Sequence, residues 1–228
     1  MLKKVQPTTD SFVVAKPTEN SVLYHAFPTP IYANKVDDYD LIQEEISNVI
    51  PDIGFAMRDD WGETHWLSDV TFRSNFVFEY GLKHLINAIH INIHNYLNAI
   101  DFGSNGNAAG TEGINYNIMS SWVALYKKGN YAHIHNHSHH DISGVYYYKM
   151  SQKQKDKTGC GDISFHTPAP SSETSFIFHH YSYPKLVDIE QGVMLLFPSY
   201  LKHGVSTNSE DEERISVSFN IKFNTMKQ

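Results

Sequence analysis

A single cysteine, Cys160, stands in 228 residues. One thiol cannot close an internal disulfide, so a reducing compartment is expected, and a thiolate-rich zinc site is excluded. No apolar run is long enough to span a bilayer. Met1 to Phe12 carries two lysines but lacks the apolar stretch of a secretory signal. The expectation is a soluble, cytoplasmic protein. Positive charge is also scarce: 18 Lys and Arg against 25 Asp and Glu give a net charge of −7, and the basic residues are scattered. The footprint of a nucleic-acid binder is therefore missing. What the chain does have is aromatics and 14 histidines, five of them between residues 133 and 140. Both point to a β-rich protein with a metal or acid-base site.

The length suits one domain with a sizeable core. Residues 1 to 22 mix Pro, Thr, Ser and Asn and read as a flexible or loosely docked arm. Residues 23 to 113 read as an N-terminal helix and strand layer. Within it, Phe27, Ile31 and Tyr32 begin a strand. Leu41, Ile42, Ile46 and Val49 keep helical spacing up to Pro51, with Asp38 or Asp40 as cap. FRSNFVFEY is a short strand or a helix lead-in. Gly81 to Ile100 is the best helix, with Leu82, Leu85, Ile86, Ile89, Ile93, Tyr96 and Leu97 in one stripe; His84, His90 and His94 read as surface or rim residues. A glycine-rich loop follows at 101 to 113. From residue 114 to 228, short β-rich runs alternate with turn signals, the pattern of a sandwich or barrel.

Two segments carry chemistry. In GNYAHIHNHSHHDISG, residues 129 to 144, His133, His135, His137, His139 and Asp141 share one parity. Residues two apart on a strand face the same way, so a pair such as His135 and His137 can aim two imidazoles at one point. All five cannot, because the strand carries its ends too far apart. The second segment is FPSYLKHGVSTNSEDEERISVSFN. Ten residues separate His203 from Arg214, and Ser216 comes two later. A non-haem Fe(II) oxygenase needs three ligands on one face, two from neighbouring strand positions and one from a distant strand. When 2-oxoglutarate is the cosubstrate, its far carboxylate needs a fixed bidentate donor, which Arg supplies better than Lys. Ser216 can add a hydroxyl on the same strand face.

Taken together, Trp122, the GNY at 129 to 131, HNH at 135 to 137, SGVYYY at 143 to 148, LLFPSYLKHGV at 195 to 205 and ERISVSFN at 213 to 220 resemble the core of the 2-oxoglutarate/Fe(II) oxygenases. The likeness is to a bacterial and phage-type group related to prolyl 4-hydroxylases, and FPTPIY at 27 to 32 is similar to that group's N-terminal segment. The resemblance implies a double-stranded β-helix, a jelly roll of the cupin kind, mainly β with flanking helices. It implies Fe(II) and 2-oxoglutarate as cofactors, and hydroxylation of an unidentified small-molecule or peptide substrate, prolyl by analogy.

Most of the superfamily spells its first ligand pair His-x-Asp, whereas His135-x-His137 stands here. Three ligand sets are compatible with the run: His135, His137 and His203; Asp141 as carboxylate with His135 or His137; or His139 with Asp141. His135 and His203 are favoured in each comparison, and His137 over Asp141. Tyr126 or Tyr146 is a candidate donor to the cosubstrate carboxylate, and Asn220 shares the parity of Arg214. The bland alternatives are a surface metal-binding histidine run, an Arg214 paired with Asp211 or Glu212 on the surface, and Trp61, Trp66 and Trp122 as core. His166 and the pair His179 and His180 read as loop or substrate-side residues, and Gly192 as a turn residue. Two rival functions remain: a three-histidine cupin-type enzyme without 2-oxoglutarate, and a non-catalytic jelly-roll binding module. The loops 52 to 75 and 151 to 185 would choose the substrate, and the lysine-rich run at 149 to 157 is a solvated loop or a lid. A homodimer is compatible with the sequence.

Overall fold

The structure is a computed structural model and describes residues 13–15, 23–24, 29–58, 64–71, 73–100, 115–150, 160–168, 185–187 and 189–224. Trp61, the His179 and His180 pair, the 101 to 113 loop and most of the 149 to 157 run lie outside them. Residues 1 to 30 form a small unit of their own. In it, β1 (Val13–Ala15), inside the stretch read as an arm, pairs antiparallel with β2 (Leu23–Tyr24).

The unit from Ile31 onward carries the core. Its N-terminal layer is β3 (Tyr32–Lys35), α1 (Tyr39–Val49), β4 (Trp66–Leu67), the four-residue α2 (Phe76–Glu79) and α3 (Lys83–Ala99). The strands that follow are β5 (Tyr116–Tyr126), β6 (Ala132–His135), β7 (Ile142–Lys149), β8 (Ile163–Phe165), β9 (Lys185–Leu186), β10 (Val193–Pro198), β11 (His203–Val205) and β12 (Arg214–Phe223). They build a six-stranded sheet in the order β3-β10-β7-β12-β5-β4 and a four-stranded sheet in the order β6-β11-β8-β9. Pairing is antiparallel throughout these ladders. Together they are the jelly roll expected of the β-rich half.

The helices obey their apolar spacing. α1 ends where Ile50–Asp52 tightens into a 3-10 turn around Pro51, and its buried contacts are Ile42 and Ile46; Leu41 faces solvent instead. α3 buries Leu85, Ala88, Ile89, Asn92, Ile93, Tyr96 and Leu97. No side chain at its own cap position bonds the helix start. Glu45 of α1 does that work, accepting the backbone N–H groups of His84 and Leu85 at 2.9 to 3.1 Å. A carboxylate at this point satisfies free donors and complements the helix dipole. FRSNFVFEY resolves as a helix lead-in. Among the described residues, no helix is long and apolar enough to cross a membrane.

Strand alternation decides which residues meet the helices and which face the jelly-roll interior. Val123, Leu125, Tyr146, Met194, Leu196, Ile215, Val217 and Phe219 pack in one cluster with Ile42, Ile46, Leu85, Ile89 and Ile93. The opposite face carries Trp122, Ala124 and Tyr126 of β5, Val145 and Tyr147 of β7 and Leu195 and Phe197 of β10. Gly144 is required on the helix side: a Cβ there would sit 2.2 Å from the Phe219 ring. Gly192 precedes β10 with φ 86°, and a Cβ there would meet the Tyr39 ring at 2.5 Å.

Candidate metal and anion site

β6 and β11 pair so that His135 stands opposite His203. Their ring centroids are 4.4 Å apart, and His137, two residues beyond His135, lies 5.1 and 5.3 Å from the two. One ring nitrogen from each of the three falls within 4.8 Å of the others, and among the described residues this is the one such His, Cys, Asp or Glu cluster. The Nδ1 of His135 lies 2.7 Å from the carbonyl of His133, and the Nδ1 of His203 lies 2.9 Å from that of Leu201. A carbonyl can only accept, so each Nδ1 carries the proton and each Nε2 keeps its lone pair for a metal. Burial, with help from the other histidines, lowers the pKa of His203 to about 3 and that of His137 to about 2. Both rings are therefore neutral near pH 7, the form that ligates.

That depression has a consequence for stability. His203 takes a proton readily when unfolded, near pH 6.5, but only near pH 3 when folded. The unfolded chain thus binds more protons between those values, and stability must fall as pH drops through this window. For buried His203 the slope approaches about 1.4 kcal/mol per pH unit. Denaturant titrations of metal-free protein at pH 7 and pH 5 should show a smaller loss for His203→Gln than for wild type. An equal loss would mean that His203 is not held neutral.

The triad opens into a cavity of about 750 Å³. Arg214 lines the same cavity, 1% exposed and so no surface ion pair. Its guanidinium carbon sits 4.8 Å from the Tyr126 ring centre and 5.0 Å from that of Tyr147. Among the described residues, the Nε and Nη1 of Arg214 and the hydroxyl of Tyr147 are buried without a well-formed hydrogen bond. Burial pushes the Tyr147 phenol up to about 12, with Arg214 pulling the other way, so it stays a donor. Uncompensated buried donors are rare and costly, and a guanidinium with two open N–H groups is shaped for a carboxylate. Ser216, also buried, lines the same cavity. The described lining contains no Asp, Glu or Lys, and Arg214 is its single permanent cation.

Of the residues singled out from sequence, His135, His137, His203, Arg214, Ser216, Tyr126 and Asn220 all line this cavity. Two others do not join them. Tyr146 points to the helices, where its hydroxyl accepts a hydrogen bond from Gln43 at 3.1 Å; its neighbour Tyr147, opposite Ser216 in the ladder, takes the interior position. Asp141 turns away from the triad, its carboxylate bonded to Lys222 at 2.9 Å and to the Phe223 N–H at 2.8 Å. His65 is a wall residue that the sequence did not flag. It is buried, stacks on Tyr126 at 4.7 Å, and places Nδ1 3.2 Å from the Tyr131 carbonyl. No period surrounds it in the chain to reveal that role.

The family described as "Putative 2OG-Fe(II) oxygenase" matches residues 120–220. A search of curated proteins gives no match. Among solved structures, a Pseudomonas putida prolyl-4-hydroxylase is 14% identical with a TM-score of 0.52, covering 86% of this chain and 94% of that one. The α-ketoglutarate-dependent epimerase SnoN from nogalamycin biosynthesis is 11% identical with a TM-score of 0.58, covering 85% and 77%. A Trichoplax adhaerens prolyl hydroxylase, solved with a peptide of hypoxia inducible factor, is 15% identical with a TM-score of 0.53, covering 84% and 83%. At these identities the structures speak to the fold alone. Residues 120–220, which include His135, His137, His203 and Arg214, match a 2-oxoglutarate/Fe(II) oxygenase family, and the chain shares the fold of prolyl hydroxylases.

Proposed function

We propose that His135, His137 and His203 hold a ferrous ion, that Arg214 binds the far carboxylate of 2-oxoglutarate, and that the protein hydroxylates a substrate C–H bond. The observation that carries this reading is the pair of open, buried N–H groups on Arg214 in the same cavity as the three histidines. The residues fit both groups. Three neutral imidazoles suit a divalent first-row ion, and a desolvated guanidinium between two tyrosine rings lacks only an anion. When bound, iron and 2-oxoglutarate supply the activation of oxygen, with the keto acid ending as succinate and carbon dioxide. The protein's share is placement. The Nδ1–H bonds fix two ligand rings, Tyr126 and Tyr147 sandwich the guanidinium, and the apolar Leu67, Trp122, Val145 and Phe197 keep water from the walls. A prolyl-type substrate, free or peptidyl, is our reading of the relation to prolyl hydroxylases. The test is an anaerobic titration of apoprotein with Fe(II), then 2-oxoglutarate. A charge-transfer absorption of the chelated keto acid is expected. Tight iron binding with no such band would end the 2-oxoglutarate reading.

One observation favours a second reading. A histidine, His137, stands where most of the superfamily has a carboxylate, and Asp141 does not replace it. A three-histidine metal enzyme of the cupin kind, acting without 2-oxoglutarate, would keep its activity when Arg214 is replaced.

A further inference from the structure

The three histidines are not held alike. His135 and His203 each give a ring nitrogen to a backbone carbonyl. The ring of His137 has no such tie among the described residues; it leans on Trp122, with centroids 5.7 Å apart, and on the other two histidines. Its position is set through its backbone instead. The His137 N–H donates to the carbonyl of Ser199 at 2.9 Å, and the N–H of Ser199 donates to the carbonyl of Asp141 at 3.1 Å. Ser199, fully buried in the turn between β10 and β11, thereby clasps both ends of the loop from His137 to Asp141.

The side chain of Ser199 is anchored in turn. The Ser143 hydroxyl donates to Asn220 Oδ1 at 2.9 Å, and Asn220 Nδ2 donates to the Ser120 hydroxyl at 3.2 Å. With its own proton committed, Ser143 accepts from Ser199 Oγ at 2.8 Å. All four residues are buried, where a fully paired polar chain is rigid and a broken one is costly. The chain runs from β5 through β12 and β7 to the Ser199 turn, and so ties the six-stranded sheet to the turn that leads into His203.

We propose that Ser199, anchored through Ser143 and Asn220, is a positioning residue for His137: it sets where the third imidazole stands in the metal site. This rests on the metal reading above. The probe is Co(II), whose ligand-field absorption reports coordination and whose affinity is measured by competition, in full-length wild type, Ser199→Ala, His137→Ala and the double variant. Removing such an outer support is expected to weaken Co(II) roughly 10- to 100-fold and to alter the spectrum. In the His137→Ala background the same change should cost no more than about twofold, because the ligand it serves is gone. Wild-type affinity and spectrum in Ser199→Ala would overturn the proposal, as would an equal weakening in both backgrounds. Should Ser199→Ala fail to fold, Ser143→Ala asks the same question, since it cuts the side-chain tie and leaves both backbone bonds. Absence of any saturable Co(II) site in wild type would remove the metal reading itself, an outcome distinct from failure of the Ser199 role.

Discussion

Replacing Arg214 by glutamine is expected to weaken 2-oxoglutarate binding by about 100-fold or more, with iron binding at the histidines retained. The guanidinium is almost wholly withdrawn from water, and its Nε and Nη1 make no well-formed hydrogen bond among the described residues. Two ring faces offset part of its desolvation, but ring faces do not replace hydrogen bonds. An incoming carboxylate would satisfy the charge and both donors at once. Glutamine keeps one donor and loses the charge and the fork. Lysine keeps the charge as a point and should fall between the two. The same argument fixes the sign of a second readout: the ligand-free glutamine variant should unfold no more easily than wild type, because a poorly paired buried cation has been removed. Cosubstrate titration against a fixed Fe(II) concentration measures the first effect and thermal melting the second. An unchanged 2-oxoglutarate affinity would transfer the reading to the three-histidine alternative.

His137→Asp should tighten divalent metal binding, by roughly tenfold or more, whereas His137→Ala should weaken it severely. Three neutral imidazoles leave the full charge of a divalent ion uncompensated in a half-enclosed cavity. A carboxylate in the third place supplies an anion at bonding distance, where Coulomb attraction is large. It also restores the two-histidine, one-carboxylate face common among non-haem iron oxygenases. Equilibrium competition for Fe(II) or Co(II) decides it. Tighter binding in the alanine variant than in the aspartate one would show that His137 is not at the metal.

Much of this site was legible before the structure because strand parity is a strict code. Arg214, Ser216 and Asn220 had to share a face, and they line one cavity; His135 and His137 converge as well, although β6 ends at His135 and the turn bond to Ser199 holds His137. The failures have physical causes. SGVYYYK places tyrosines on both parities, so only the register of β7 against β12, which shifts between Ile215 and Ser216, selects Tyr147 over Tyr146. Asp141 looked available by spacing, yet the chain turns after His137, and a lysine and a backbone N–H on β12 claim its carboxylate. Leu41 shows the limit of helical spacing: the stripe is wider than the face that the sheet covers. Ser199 and Glu45 were invisible because each works across the chain, on elements 39 or more residues away.

The makeup of the cavity wall also governs what can approach it. The whole chain carries a net charge of −7, while the described lining holds one arginine, seven histidines and no acid. Inside the cavity, Arg214 is thus an island of positive charge on a negative body. Over a Debye length of about 8 Å at physiological salt, a dianion feels mainly the island once it is near and the repelling body while it is far. Added salt softens both the distant repulsion and the local attraction. Ammonium-bearing molecules meet the reverse order: drawn toward the surface, then repelled by Arg214 inside the cavity.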